Sequence, residues 1–240
     1  MSVYLYDGSF EGFLTLIYQS YYQKETASKI IKDKKKLSLL DEVIEITTDL
    51  KRAQKVHHSL KEKFETKNYN KIFHTFLCDD REFEKALYDF IVIGFKNQKD
   101  LANINHPSIF YLEKLEHEYF RYLHKMYGFV RFKELEDAVL YAKIEGKFNI
   151  LPFLGKHFSK RLDGCEFIIH DTKRALAYTN GAIHQIADFE IPILSENEVK
   201  FQKLWKLFFK EISIKERKNS KLQQNWVPLI YRKYMTEFRN

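Results

Sequence analysis

The chain has 240 residues, with 40 Lys/Arg against 33 Asp/Glu and a formal net charge of +7. Its 45% hydrophobic and 16% aromatic content, with only eight Gly and four Pro, is that of a chain that buries a core and leaves little room for disordered linker. Cys78 and Cys165 stand far apart, with no CxxC pair and no His at zinc-ligand spacing, which argues against a structural metal and a secreted disulfide framework and points to a reduced, cytoplasmic setting. No apolar run approaches the roughly 18 residues that span a bilayer, and the N-terminus lacks an export pattern, so no membrane partner is expected.

In chain order, Val3-Tyr4-Leu5-Tyr6 reads as a short strand ended by Asp7-Gly8-Ser9. Phe13, Ile17 and Tyr21 then recur at the spacing of a helix with one buried face. After the charged break Lys32 to Lys36, Val43-Ile44-Glu45-Ile46 predicts a strand. A helix capped by Thr48 or Asp49 follows, with Leu50, Ala53, Val56, Leu60 and Phe64 on one face. Residues 69–77 and 81–95 are expected to be helical, the latter through Phe83, Leu87, Ile91 and Phe95. Pro107 is placed to open a helix running to about Tyr127 and stopping at Gly128.

From Phe129 the character changes. FVRFKEL and AVLYAKIE have the β-branched and aromatic content of paired strands, ILPFLGKHFSKRL reads as a helix with Pro152 near its first turn, and CEFIIHD, RALAYTN and AIHQIAD predict three further strands. Asn180-Gly181 is a two-residue hairpin signal. The expected class is α+β: a mainly helical region 1–128, an antiparallel sheet of about five strands with one inserted helix over 129–190, and a helical segment 191–240. From Ser195 a final helix places Phe201, Trp205, Phe208 and Ile212 on one face and Lys203, Lys206 and Lys210 on the other.

That last segment holds the charge. Lys200 to Asn240 carries eleven Lys/Arg and three Glu, a net of +8, whereas the other 199 residues carry 40 − 11 = 29 basic and 33 − 3 = 30 acidic side chains, a net of −1. Cations alternate there with planar rings, the combination with which single-strand binders neutralise phosphate and stack bases. The candidate nucleic-acid contacts are Arg217, Lys218, Asn219, Lys221, Trp226, Tyr231, Arg232, Lys233 and Tyr234. The competing reading is a solvated basic helix whose aromatics anchor it to a core.

Other candidates are weaker. His157 and Arg161, with Asn149, Lys156, Lys160 and Asp163 nearby, can offer an anion site on one helix, or simply solvated charge. His170-Asp171 ends a strand, where alternation points the two side chains oppositely and an Asx-type turn by Asp171 competes with a catalytic pair. Consecutive helical residues His57 and His58 point about 100° apart and so do not share a metal. Gly8 and Ser9 can receive an anion on backbone N–H groups, or serve as turn and helix cap. The usual nucleotide-binding, metalloprotease, deaminase, hydrolase and radical-enzyme motifs are missing, and neither metal nor cofactor is expected.

YDGSFEGFLTLIYQSY, RFKELEDAVLYAKIEGKFNILPFLGKHFSKRL with IIHDTKRALAY, and LWKLFFKEISIKERKNSKLQQNWVPLIYRKYMTEF together resemble a bacterial family of DNA metabolism or DNA repair proteins whose mechanism is not established. The matching positions include Asp7, Gly8, Ser9, Phe10, Gly12 and Phe13. In the centre they include Arg131, Phe132, Glu134, Leu135, Glu145, Asn149, Pro152, His157, Phe158, Arg161, His170 and Asp171. Towards the end they include Trp205, Phe208, Phe209, Ile212, Glu216, Arg217, Asn219, Gln223, Pro228, Tyr231 and Tyr234. Gly146-Lys147-Phe148 departs from the family pattern, where many relatives have Pro-Lys-His. The resemblance implies a gene neighbour encoding a radical-SAM protein of DNA modification or repair. It also implies, in some relatives, a fused uracil-DNA glycosylase-like domain, which is not expected within these 240 residues. The function expected is a DNA-binding accessory protein with DNA and a radical-SAM protein as partners. The alternatives are an enzyme acting on a modified base through His157, Arg161, His170 and Asp171, and a protein-interaction module.

Overall fold

In the computed structural model, which describes residues 2–39, 41–186, 193–212 and 219–238, the chain forms two compact units, 1–119 and 120–240. In the first, β1 (Ser2–Leu5) leads into α1 (Phe10–Gln23) and then β2 (Lys29–Ile31), and β3 (Glu42–Glu45) follows a short charged turn. β1 lies between β2 and β3, parallel to both, with Tyr4 opposite Ile30 and Ile44. Parallel neighbours need crossovers, and α1 supplies the first of them. Being central, β1 buries Val3, Tyr4 and Leu5, the near-continuous apolar run of a strand covered on both faces.

Four further helices follow: α2 (Leu50–Lys63), α3 (Thr66–Phe76), α4 (Glu84–Lys96) and α5 (Pro107–Phe129), with the division between units falling inside α5. Asp49 caps α2 by accepting from the N–H groups of Lys51 and Arg52, and Ala53, Val56 and Leu60 face inward as their spacing predicts. α5 runs past Gly128, where a stop is expected. A buried lysine joins α3 to the first half of α5: Lys71 pairs with Glu113 and, at 3.2 Å, with Glu116, whose other oxygen lies 2.6 Å from His74 Nδ1. Burial pushes the Glu116 carboxyl up, but the hydrogen bond to His74 and the Lys71 charge outweigh it and hold the group below its ordinary value.

Two expectations for this unit change. β2, only three residues long, is not anticipated, because no periodicity shows over so short a run. Tyr21, expected on the buried face of α1, is 76% exposed, and the inward position of the last turns goes to Ser20, which bonds Glu25 and Tyr88.

The second unit is built on a five-stranded sheet in the order β4 (Phe132–Glu134), β5 (Leu140–Ile144), β6 (Phe167–Asp171), β7 (Leu176–Thr179) and β8 (Ala182–Gln185). Five strands with a helix after the second are as expected, and the α+β class holds. The sheet is mixed rather than antiparallel, however: β5 and β6 run parallel because α6 (Leu151–Arg161) carries the chain back between them. β6–β7 and β7–β8 are hairpins, and Asn180 and Gly181 both take positive φ, of 50° and 80°, as the tight turn requires. Of the strand expected over 182–188, the last two residues, Ala187 and Asp188, lie outside the described residues.

α6 lies against the sheet through Leu151, Leu154 and Phe158. Gly155 allows its close approach, because any Cβ there would run into the Tyr178 ring. The chain then enters α7 (Glu196–Glu211), capped by Ser195, then α8 (Ser220–Trp226) and the short α9 (Leu229–Arg232).

Candidate nucleic-acid interface

The C-terminal segment is anchored by its own aromatic and basic residues. Asn219 caps α8, its Oδ1 accepting from Leu222 N at 2.9 Å, and Val227-Pro228 ends that helix. Tyr231 lies with its ring centroid 4.9 Å from Phe129 and 6.0 Å from Tyr122, and burial raises its hydroxyl pKa. Arg232 donates from Nε to the Val227 carbonyl at 3.0 Å and stands 4.3 Å over the Phe238 ring. Met235 is buried, and Glu237 accepts from Arg131 Nη2 at 2.7 Å and from Nε at 3.4 Å. The competing reading of core anchoring therefore describes Tyr231 and Arg232 well.

Around them a small patch combines cations with ring faces. Lys143 and Lys233 place their ammonium groups 5.8 and 5.3 Å from the Tyr234 ring, and Lys233 also donates to Glu145 Oε2 at 2.6 Å. That bond raises the Lys233 pKa. Tyr122, Met126, Phe129, Tyr231 and Tyr234 line an adjoining cavity of about 30 Å³, room for a water and not for a base. Lys221 and Trp226, on α8, face outward. Trp226 is 75% exposed, one turn from the also exposed Leu222. Arg217 and Lys218 lie outside the described residues.

On α7, residues Glu198, Gln202, Trp205 and Phe209 form the partly buried stripe, with Glu198 accepting from Glu134 N and Phe209 edge-on to Phe238. The face expected to pack is thus rotated: Trp205 keeps its place, while Phe201, Phe208 and Ile212 are exposed. The capping geometry decides this, because Ser195, which accepts from Glu198 N, also donates to Glu134 Oε1 and so fixes which side of the first turn meets β4.

The polar candidates of the sheet separate. His170 Nδ1 is 2.9 Å from the Tyr141 hydroxyl, and burial followed by the nearby Lys143 charge lowers its pKa. Asp171, next along β6 and therefore on the opposite face, is fully buried and ion-paired with Arg174 at 2.7 Å, while its other oxygen accepts from Lys173 N. Arg174 also donates to the carbonyls of Gly146 and Lys147. Asp171 thus closes an Asx turn and locks a loop. His157 stacks on Tyr127 at 4.0 Å, its buried Nε2 without a hydrogen-bond partner; burial, and then Arg161 one turn on, lower its pKa. His157 and Arg161 are brought together, whereas His170 and Asp171 are turned apart onto different partners. His57 and His58 likewise go separate ways, to Tyr69 and Glu62. Among the described residues no group of three or more His, Cys, Asp or Glu side chains is arranged to hold a metal.

At the other end of the chain Gly8 takes a φ of 83°, and Ser9 caps α1 by accepting from Gly12 N at 2.9 Å. The place an external anion would take is filled from within. Asp7 Oδ1 accepts from Ser9 N and Oγ at 2.9 and 2.6 Å, and Oδ2 accepts from Thr48 Oγ1 at 2.7 Å. Burial pushes the Asp7 pKa up, but the hydrogen bonds from Ser9 and Thr48 prevail and lower it. Gly12 is needed here because a Cβ would collide with this carboxylate.

A cleft of about 700 Å³ also lies in the first unit, between β2 and the starts of α4 and α5. Its lysines are neutralised locally: Lys32 pairs with Glu84 at 3.3 Å, Lys36 with Glu82, and Lys85 with Asp89.

Residues 81–237 match DUF4130, a family described as a domain of unknown function. The chain belongs to this family. The matched span covers well over half the chain and includes the whole five-stranded sheet, α7, α8 and α9, whereas β1, β2, β3, α1, α2 and α3 precede it. A search of curated proteins gave no match.

Proposed function

We propose that this DUF4130 protein is a DNA-binding accessory factor in DNA repair or modification, acting beside a radical-SAM partner. The observation that carries the DNA-binding part is the exposure of both Trp226 and Lys221 on α8, a few residues before Lys233 and Tyr234, in a segment of net charge +8. A ring that is three-quarters exposed offers a stacking face, and the cations offer phosphate contacts, without the folded unit giving up an internal anchor. The resemblance to DNA metabolism proteins supports the biological setting and is the ground for the radical-SAM partner. The same resemblance links relatives to a uracil-DNA glycosylase-like domain, which belongs to those fused relatives. Neither Cys78 nor Cys165 is in a disulfide, and no helix among the described residues is long and apolar enough to cross a membrane, in keeping with work on nucleic acid in a reducing compartment.

A salt titration of labelled single- and double-stranded oligonucleotides tests it. Affinity should fall linearly with log salt, and Lys221→Ala should reduce the slope by about 0.7–0.9. Absence of binding to either form at low salt would remove the proposal. For the partner, co-purification with the radical-SAM protein should survive nuclease treatment if contact is direct.

A further inference from the structure

The net charge of −1 over the first 199 residues conceals a basic helix. α2, LKRAQKVHHSLKEK, carries five Lys/Arg and one Glu. Against it packs α1, whose last turns turn two tyrosines outward beside a third that is partly buried. Tyr21 and Tyr22 are 76% and 66% exposed, Tyr22 lies 4.4 Å from the partly buried Tyr18, and Tyr21 meets Tyr22 edge-on at 5.4 Å. Arg52 stands 5.6 Å and Lys55 6.0 Å from the Tyr18 ring, and the Lys55 charge also reaches the Tyr22 hydroxyl. Lys51 lies one turn from Lys55, on the same side of α2.

We propose that this tyrosine cluster, rimmed by Lys51, Arg52 and Lys55, is a second binding surface, for single-stranded nucleic acid. Two large rings held in solvent by a well-packed helix do nothing for the core. Their mutual contacts instead fix ring orientation in advance, so little side-chain entropy remains to be lost when a base stacks on them. Arg52 is engaged by Asp49 at 3.2 Å, while Lys51 and Lys55 show no carboxylate partner among the described residues and are available to phosphate. Complementarity selects the ligand: the cations suit any polyanion, but only an unpaired strand also presents base faces to the rings, since duplex bases are covered by their neighbours. The surface precedes the residues matched to the family and uses none of the C-terminal side chains.

The full-length protein is titrated with labelled oligothymidylate and oligouridylate of about 16 nucleotides, and with a duplex of the same length. Tyr21→Ala/Tyr22→Ala should weaken single-strand binding at least about tenfold and leave duplex binding unchanged, because stacking on each ring contributes about 5-fold or more. Lys51→Ala/Lys55→Ala should lower the single-strand salt slope by about 1.4. All substituted side chains lie on the surface, and an unchanged melting temperature verifies folding. If single-strand binding persists undiminished in both variants but is lost in Trp226→Ala, this surface is overturned while the C-terminal reading stands. If the wild type binds no oligonucleotide, both fall. Competition by polyglutamate that is insensitive to the tyrosine substitutions would make the surface a dock for an acidic protein and overturn the proposal.

Discussion

The two aromatic-basic regions of this protein contain the same residue types and use them in opposite ways. At the end of the C-terminal segment Tyr231 is enclosed by Phe129 and Tyr122, Arg232 lies over Phe238, and Lys233 is tied to Glu145, so these rings and cations help to hold the second unit together. On α1 and α2 the corresponding groups, Tyr21, Tyr22 and Lys55, face water. Three of the residues that make the C-terminal segment look like a binding surface, Tyr231, Arg232 and Lys233, are thus spent on internal contacts. Composition measures how many cations a stretch contains, whereas binding depends on how many are left over after folding.

The contrast can be broken most forcefully at Tyr231. Tyr231→Ala should cost about 2–4 kcal/mol of stability in urea unfolding, somewhat less than the roughly 3–5 kcal/mol of a fully packed ring because Tyr231 is only partly buried. A cost under about 0.5 kcal/mol would show the segment to be loosely held. Glu237→Gln should cost less, about 1.5–3 kcal/mol, because Arg131 loses a charge-assisted pair.

Glu237 also predicts a pH dependence. Burial raises its pKa, but the bond to Arg131 prevails and holds it below the ordinary 4.5. A carboxyl whose folded-state pKa is lowered contributes stability that is present above its unfolded value and lost as pH falls through the folded one. Wild type should therefore lose melting temperature below about pH 4.5 more steeply than Glu237→Gln, with parallel curves at neutral pH. Trp226→Ala sharpens the other side of the comparison. It should leave stability within about 0.5 kcal/mol of wild type yet weaken oligonucleotide binding about 5-fold or more. The smallest stability effect belongs to Tyr21→Ala, within about 0.5 kcal/mol by thermal melting, since an exposed ring leaves no cavity behind.

Much of the architecture was legible in the order of residues. β1, the caps at Ser9 and Asp49, the helix start at Ser195, Pro152 at the start of α6 and the Asn180-Gly181 turn are local effects, decided by a few neighbouring groups, and they stand where the pattern puts them. Separation of His170 from Asp171 was legible too, as strand alternation. Within the candidate interface, the residue types of the C-terminal segment could be read, but not which of them Tyr122, Phe129, Glu145 and Phe238 would occupy. Those contacts join residues up to 109 positions apart, as Tyr122 and Tyr231 are, and leave no periodic trace.

By itself, the sequence determined the α+β class, the helix caps and tight turns, the family fingerprint and the gathering of net charge near the C-terminus, because each is set by composition or by neighbours along the chain. Only the tertiary structure decided that β5 and β6 run parallel and that α7 turns Phe201 and Phe208 outward. It also decided that Asp7 fills its own helix N-terminus and that Arg52 and Lys55 stand over Tyr18 beside the exposed Tyr21 and Tyr22. These depend on which faces find partners once the chain is packed, and a side chain's exposure is settled by distant groups that no local pattern reports.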